Sequence, residues 1–145
     1  MLTSDKNSRT KNQFVKLLTK NFRDVSKIDL QNINDVEIYA GKSLTVKLNG
    51  VDLTNYDIVL FRGIASKDQS LANSIAICLK KLNVKFIDRV YGEIGISEKK
   101  LGTLLMLYIG GVKIPDTYFI GKNITGETNY NYIVQKLGTP FVAKD

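Results

Sequence analysis

The chain has 145 residues, of which 43% are hydrophobic, and it carries a formal net charge of +7, one cysteine and no histidine. This composition suits one folded domain with a core, while the missing histidines exclude histidine-based triads and histidine-ligated zinc, and a single cysteine excludes an internal disulfide. No apolar run reaches membrane-spanning length and no secretory signal opens the chain, so we expect a cytoplasmic protein without a membrane partner.

The hydrophobic pattern predicts helices and strands that alternate along the chain. In chain order, we predict a helix over residues 10–22, strands over 25–30, 37–40, 44–48, 51–53 and 56–63, a helix over 66–82, a strand within 83–88, a helix over 98–109, a strand over 117–120, a helix over 130–137 and a strand over 141–144. Asn49-Gly50 predicts a hairpin turn. The apolar run within 56–63 is typical of a strand that is buried on both faces. This alternation indicates an α/β domain with a mostly parallel sheet.

The two ends of the chain are unusual for a domain. Residues 1–3 leave little room for a first strand, and an apolar strand over residues 141–144 would present an unpaired edge. We therefore expect truncation at the C-terminus and allow for a trimmed N-terminus. The Gly- and Asn-rich residues 121–131 predict a hinge. It would divide the chain into one domain over residues 1–120 and the beginning of a second over residues 121–145.

Three segments, residues 97–100, 111–117 and 138–144, resemble motifs of the ATP-grasp superfamily of carboxylate–amine ligases. Within it, the chain is similar to the group that contains bacterial glutathione synthetase and the enzymes that add glutamate to ribosomal protein. Lys100 lies eleven residues before the glycine of Gly111-Val-Lys-Ile-Pro-Asp-Thr, a spacing shared with that family. Pro140-Phe-Val-Ala-Lys144 matches its Pro-x-Val-x-Lys motif. Residues 56–63 and 86–88 resemble strands of its N-terminal domain.

The resemblance implies a Rossmann-like pre-ATP-grasp domain followed by the start of the ATP-binding domain. It implies a peptide-bond-forming ligase that uses ATP and an acyl-phosphate intermediate, with Lys100 and Lys144 contacting the nucleotide phosphates. The partners would be ATP, a carboxylate substrate and an amine acceptor, namely an amino acid, a peptide or a protein. The family's Mg²⁺ ligands would lie after residue 145, so we expect this chain alone to be inactive and to bind ATP weakly.

The residues themselves are compatible with these roles but leave alternatives open. Lysine offers phosphate a compact positive charge, and Lys100 stands where a helix N-terminus would also attract an anion. Lys99 competes with Lys100 for this role, and Lys144 by itself also fits a charge that blunts a strand edge. Arg62 and Asp88 each follow a predicted strand, so they are candidates for substrate binding or simply solvated charges. The sequence assigns no catalytic residue and no metal ligand.

Two other functions fit the sequence. The chain could be a stand-alone basic α/β module for an anionic ligand or nucleic acid, since its positive charge favours anionic partners. Its tyrosines do not interleave with a basic stripe, however, so we do not expect nucleic acid. It could also be a subunit completed by a separate chain, and homo-oligomerisation stays open.

Overall fold

The computed structural model describes residues 1–5, 7–21, 28–88, 91, 100–122 and 128–143. They form an α/β structure whose elements are β1 (Leu2–Thr3), α1 (Arg9–Asn21), β2 (Gln31–Asn32), β3 (Val36–Ala40), β4 (Leu44–Leu48), β5 (Val51–Asp52), β6 (Val59–Leu60), α2 (Gln69–Lys81), β7 (Phe86–Ile87), α3 (Lys100–Ile109), β8 (Thr117–Ile120) and α4 (Thr128–Leu137). None of the helices in these residues has the length and apolar content that crossing a membrane requires.

The largest sheet is antiparallel and has the order β5-β4-β3-β8. A three-residue turn joins β3 to β4. Asn49 and Gly50, both with positive φ, join β4 to β5 as a two-residue turn. Turns this short can connect only antiparallel neighbours, because a parallel pair needs a long crossover. The predicted hairpin at Asn49-Gly50 is therefore confirmed.

Alternating side chains give this sheet two different faces. Its inner face is apolar and packs into the core, with residues such as Val36, Ile38 and Val46. On its outer face, the Tyr118 and Tyr132 rings lie 5.6 Å apart between centroids, which joins β8 to α4. The sheet is thus covered by protein on both sides.

Four short segments pair in parallel beside this sheet. β1 pairs with β2 on one side, and Leu2 bridges Phe61 on the other. Phe61 directly follows β6, and β6 pairs in parallel with β7. The spatial order is therefore β2, β1, β6 with Phe61, and β7. After β1 the chain leads outward to β2 on one side, and it later returns to occupy the other side with β6 and β7.

A single core joins the two strand systems and the helices. The helix predicted over residues 66–82 is confirmed as α2, and one of its faces is fully buried through Ile75, Cys78 and Leu79. Leu105 brings α3 into the same core, and Phe61 contributes from the parallel segments. By contrast, no residue of α1 is buried, so this helix lies at the margin of the fold.

Several predictions about strands need correction. The expectation of a mostly parallel sheet is wrong for the largest sheet, because short hairpin turns fix it as antiparallel. A first strand does form, as β1, despite its two residues. Residues 141–143 form no strand, since no described segment pairs with them. In the run 56–63 only Val59, Leu60 and the Phe61 bridge pair with neighbours, and Ile58 is half exposed.

Candidate functional site

The carboxyl ends of β1 and of the Phe61 segment meet at one edge of the parallel strands. The Arg62 N–H donates to the Leu2 carbonyl at 2.9 Å, and the Ser4 N–H approaches the Gly63 carbonyl at 3.5 Å. β2 lies on one side of β1, and the Phe61 segment lies on the other. The chain connections after β1 and after Phe61 therefore leave this edge toward opposite sides. In open α/β sheets, ligands bind outside the carboxyl ends of strands at such a point. We call this place the switch edge and define it by Thr3, Ser4, Arg62 and Gly63.

Lys11 of α1 reaches into the switch edge. Its Nζ donates to the Gly63 carbonyl at 3.4 Å and to the Asp5 carbonyl at 3.1 Å. Gly63 has φ +63°, a backbone conformation that favours glycine, and a Cβ there would lie 2.6 Å from Lys11 Cε, so a larger residue would also displace the end of the lysine side chain. The ammonium group of Lys11 therefore lies directly beside the loop that carries Arg62.

Arg62 is exposed at the switch edge, and its guanidinium lies over an aromatic ring. The Arg62 Cζ is 5.5 Å from the centroid of the Phe14 ring in α1, which is a cation–π arrangement. This contact orients the side chain while the N–H groups of the guanidinium remain available, because a ring face accepts no strong hydrogen bond from them. Arg62 and Lys11 together make this edge attractive to a carboxylate or phosphate.

Asp88 follows β7 at the same edge, one strand further along. It is half-buried and has φ +84°, a backbone conformation that is uncommon for residues other than glycine. Its carbonyl accepts a hydrogen bond from the Tyr91 N–H at 3.2 Å. The Phe61 N–H donates to the Ile87 carbonyl, and these two segments run parallel. Arg62 and Asp88 directly follow them and therefore lie at the same edge. Asp88 therefore lies on the correct edge for the predicted substrate role.

The buried carboxylate of Asp68 is hydrogen-bonded to Ser4 of the switch edge. Burial alone would raise the pKa of Asp68. Hydrogen bonds from Ser4 and Asn34, together with the charges of Lys122 and Lys67, outweigh burial and hold that pKa below its ordinary value. The Asn34 Nδ2 donates at 3.3 Å, and the Lys122 Nζ lies 3.7 Å from Oδ1. Asp68 is therefore ionised at neutral pH and fully partnered.

The Asp68 contacts connect three parts of the chain. Ser4 also accepts a hydrogen bond from the Ala65 N–H at 2.8 Å, which fixes the loop after Arg62. Asn34 stands between β2 and β3, and Lys122 follows β8 at the start of the predicted hinge. The cluster therefore links the switch edge to the antiparallel sheet and to the segment that leads into the predicted second domain.

Lys100 is the first residue of α3 and is exposed. The ends of α2 and α3, with Lys81 and Tyr108, line one surface depression, and the two helices pack side by side. Because their C-termini meet, the helices run in the same direction. Lys100 therefore lies toward the end of the molecule where α2 begins, which is also the end where the strand carrying Arg62 finishes.

Other predicted site residues fall outside the described residues. Lys144 and Lys99 are among these, so no geometry bears on the choice between Lys99 and Lys100.

In the described ranges, no three carboxylate or thiol side chains lie together in a way that could hold a metal ion. Cys78 is a core residue with no exposed surface, and this burial raises the pKa of its thiol to about 12.

Ser4, Lys11 and Asp68 were not predicted from the sequence as members of this site. Ser4 directly follows the two-residue strand β1, which is too short to leave a periodic pattern. Lys11 belongs to a helix rich in lysine, where its spacing gives no distinction. A usable signal existed for Asp68, since an acidic residue at a helix start often caps it. Nothing in the sequence shows that this particular carboxylate is buried.

Compared with protein-family models, with curated proteins and with solved structures, the chain gives no match. The switch edge therefore stands on its own geometry: a basic, partly aromatic edge at the carboxyl ends of parallel strands.

Proposed function

We propose that this chain is the substrate-side part of an ATP-dependent carboxylate–amine ligase. Residues 1–120 would be a Rossmann-like domain, and residues 121–145 would belong to the ATP-binding domain. The observation that carries the proposal is the place of Arg62 beside β1, at the switch edge, where open α/β sheets bind their ligands. The motif resemblance over residues 97–100, 111–117 and 138–144 supports the class of reaction.

The reaction has two bond-forming steps. A substrate carboxylate oxygen attacks the γ-phosphorus of ATP, and ADP leaves with the electrons of the broken P–O bond. The amine nitrogen then attacks the acyl carbon, phosphate leaves, and the nitrogen loses a proton to give the amide. Phosphoryl transfer depends on positioning and on neutralising charge, so a chain without histidine is suited to it.

Each named residue has one role in this proposal. Arg62 binds a substrate carboxylate through its paired N–H groups, a geometry that arginine provides better than lysine. Asp88 binds a polar group of the same substrate. Lys100 and Lys144 neutralise phosphate charge on ATP, and the position of Lys100 toward the same end of the molecule as Arg62 supports this division of roles.

The test uses the full-length protein that the gene encodes. ADP release is measured with amino acids and short peptides as carboxylate substrates, and hydroxylamine is added to trap the acyl phosphate as a hydroxamate. We expect Arg62→Ala to raise the KM for the carboxylate about tenfold to a hundredfold, because a charge-assisted hydrogen bond is lost. The KM for ATP should stay close to that of the unmodified protein.

Lys85→Ala is the matched control, since it removes one exposed positive charge just before β7, at the opposite end of the strands. Equal KM values for the carboxylate in Arg62→Ala and Lys85→Ala would show that Arg62 is a solvated charge and does not bind the substrate. Absence of ADP release and of hydroxamate with every carboxylate would overturn the ligase proposal and favour the basic binding module.

Lys144→Ala should lower ATP-dependent turnover without unfolding the protein, and unchanged turnover would show that Lys144 does not belong to the ATP site.

A further inference from the structure

A surface depression lies at the far end of the molecule from the switch edge. Its volume is about 470 Å³, within the usual range for small-molecule sites. The depression lies between the β3–β4 turn, the last residue of α2, the end of α3 and the segment that leads to β8. The thirteen residues of α2 separate it by about 20 Å from the end where that helix begins. It is therefore a separate place from the proposed ligase site.

Lysines from three different elements line this depression. Lys42 comes from the β3–β4 turn, Lys81 from the end of α2, and Lys113 from the segment after α3. All three are exposed, and among the described residues none of their ammonium groups forms an ion pair. Their charges are therefore available to a ligand. We call this place the lysine depression.

Asp116 also lines the lysine depression, and its carboxylate already accepts a hydrogen bond. The Tyr39 hydroxyl donates to Asp116 Oδ2 at 3.1 Å and accepts from the Lys42 N–H at 3.4 Å. Burial raises the pKa of Tyr39, and Asp116 raises it further although the Lys42 N–H opposes this, so the hydroxyl keeps its proton and remains a donor. The hydrogen bond holds Asp116 against the sheet, and the lining carries more positive than negative charge.

The two helix C-termini at this place carry partial negative charge, and capping hydrogen bonds occupy part of their free carbonyls. In α3, Val112 donates to the Leu107 carbonyl and Gly111 to the Tyr108 carbonyl. In α2, the residues after Lys81 repeat the pattern, with donors from Asn83 and Val84. Both ends are Schellman motifs, which satisfy carbonyls that would otherwise attract a cation. The exposed charges that remain at the lining are predominantly the lysines.

We propose that the lysine depression binds a small phosphorylated molecule that carries at least two negative charges. Three lysines from three elements line one concavity, which suits a multiply charged anion better than a single carboxylate. Tyr108, Val112 and Ile114 form an apolar wall that would contact the uncharged part of such a molecule. This site does not depend on the proposed ligase reaction.

Isothermal titration of the full chain with inorganic pyrophosphate at low salt tests the proposal. The triple variant Lys42→Ser, Lys81→Ser, Lys113→Ser should weaken binding at least about tenfold, because surface charge pairs each contribute modestly but act together. The control removes the same charge elsewhere, with Lys16→Ser, Lys20→Ser and Lys85→Ser, all exposed positions. That control should stay within about twofold of the unmodified chain.

Two further variants decide where pyrophosphate binds. Asp116→Asn removes the negative charge of the lysine depression and should tighten binding, whereas the exposed Asp57→Asn should not. Equal losses in the two triple variants, or binding of an oligonucleotide without any binding of pyrophosphate, would each overturn the proposal. Circular dichroism confirms that every variant is folded.

Discussion

The antiparallel sheet and the switch edge are built in opposite ways. β3 and β4 have five residues each, are joined by a three-residue turn, and fill their inner face with core side chains. The parallel strands have two residues each and come from distant parts of the chain. The β3–β4 and β4–β5 hairpins close short loops and are entropically cheap, whereas the parallel pairings, and the pairing of β8 with β3, close long ones. The sheet supplies a rigid frame, and the switch edge depends on that frame for its shape.

The two regions also differ in how their backbone polar groups are hydrogen-bonded. Along the antiparallel strands, backbone groups bond to one another in a regular ladder. At the switch edge, side chains complete the bonding: Ser4 holds the Ala65 amide, and Lys11 holds the Gly63 carbonyl. An edge held by side chains presents charged groups to solvent, which a ladder does not. This difference explains why the candidate substrate site belongs to the less regular region.

The largest effect is expected in the antiparallel sheet. Ile38→Ala should lower the free energy of unfolding by about 2–5 kcal/mol, because Ile38 is 1% exposed and its removal leaves a cavity in the core. Urea unfolding followed by circular dichroism measures this. Val51→Ala in β5 is the control, since Val51 is 38% exposed, and it should change stability by about 0.5 kcal/mol or less. Equal losses in the two variants would contradict the idea that this sheet is the frame.

A smaller effect is expected where the two regions meet. Asp68→Asn should cost about 1–3 kcal/mol at pH 7, because the buried group loses charge-assisted hydrogen bonds from Ser4 and Asn34. Lys122→Met should cost about 1 kcal/mol or less, because Lys122 is 57% exposed and water screens its ion pair. A larger loss for Lys122→Met than for Asp68→Asn would mean that the ion pair, not the hydrogen bonds, joins the regions.

The pH dependence of stability separates these contributions. The pKa of Asp68 is lower in the folded protein than its ordinary value of 3.8, so the unfolded chain takes up the proton first as pH falls. The stabilisation from Asp68 is therefore fully present above pH 4 and is lost as pH falls through the folded pKa. Urea unfolding at pH 7 and pH 3 should show the difference between the unmodified chain and Asp68→Asn shrinking. A difference that does not change with pH would contradict an ionised Asp68.

The smallest effect is expected at the opposite end of the parallel strands. The Tyr56 hydroxyl donates to Asp29 Oδ2 at 2.7 Å, and burial, together with Asp29, raises the pKa of Tyr56 to about 12. Tyr56→Phe should cost about 1 kcal/mol at pH 7. Since the folded pKa is raised, this stabilisation is fully present below pH 10 and is lost as pH rises toward 12. Tyr130→Phe, at an exposed position, is the control. Identical alkaline unfolding of Tyr56→Phe and the unmodified chain would contradict this.

Prediction from sequence succeeded where structure is local. The periodicity of residues 66–82 located the buried face of α2, and Asn49-Gly50 located a turn with two positive φ values. It failed where pairing is long-range. The two residues of β1 carry no periodic signal, and no local pattern shows that Leu2 lies beside Phe61. Arg62 and Asp88 could be predicted as candidates because they follow apolar runs, whereas Lys11 could not, because its partner Gly63 is distant in sequence.

The sequence by itself determined the helices, the hairpins and the basic character of the chain, because propensity, turn chemistry and charge act over a few residues. Only the tertiary structure decided which strand ends meet, that Asp68 is buried beside Ser4, and that Lys42, Lys81 and Lys113 share one depression. These arrangements depend on closing long loops around a common core. The free energy for that closure comes from burying side chains of the whole chain, which no short segment can specify.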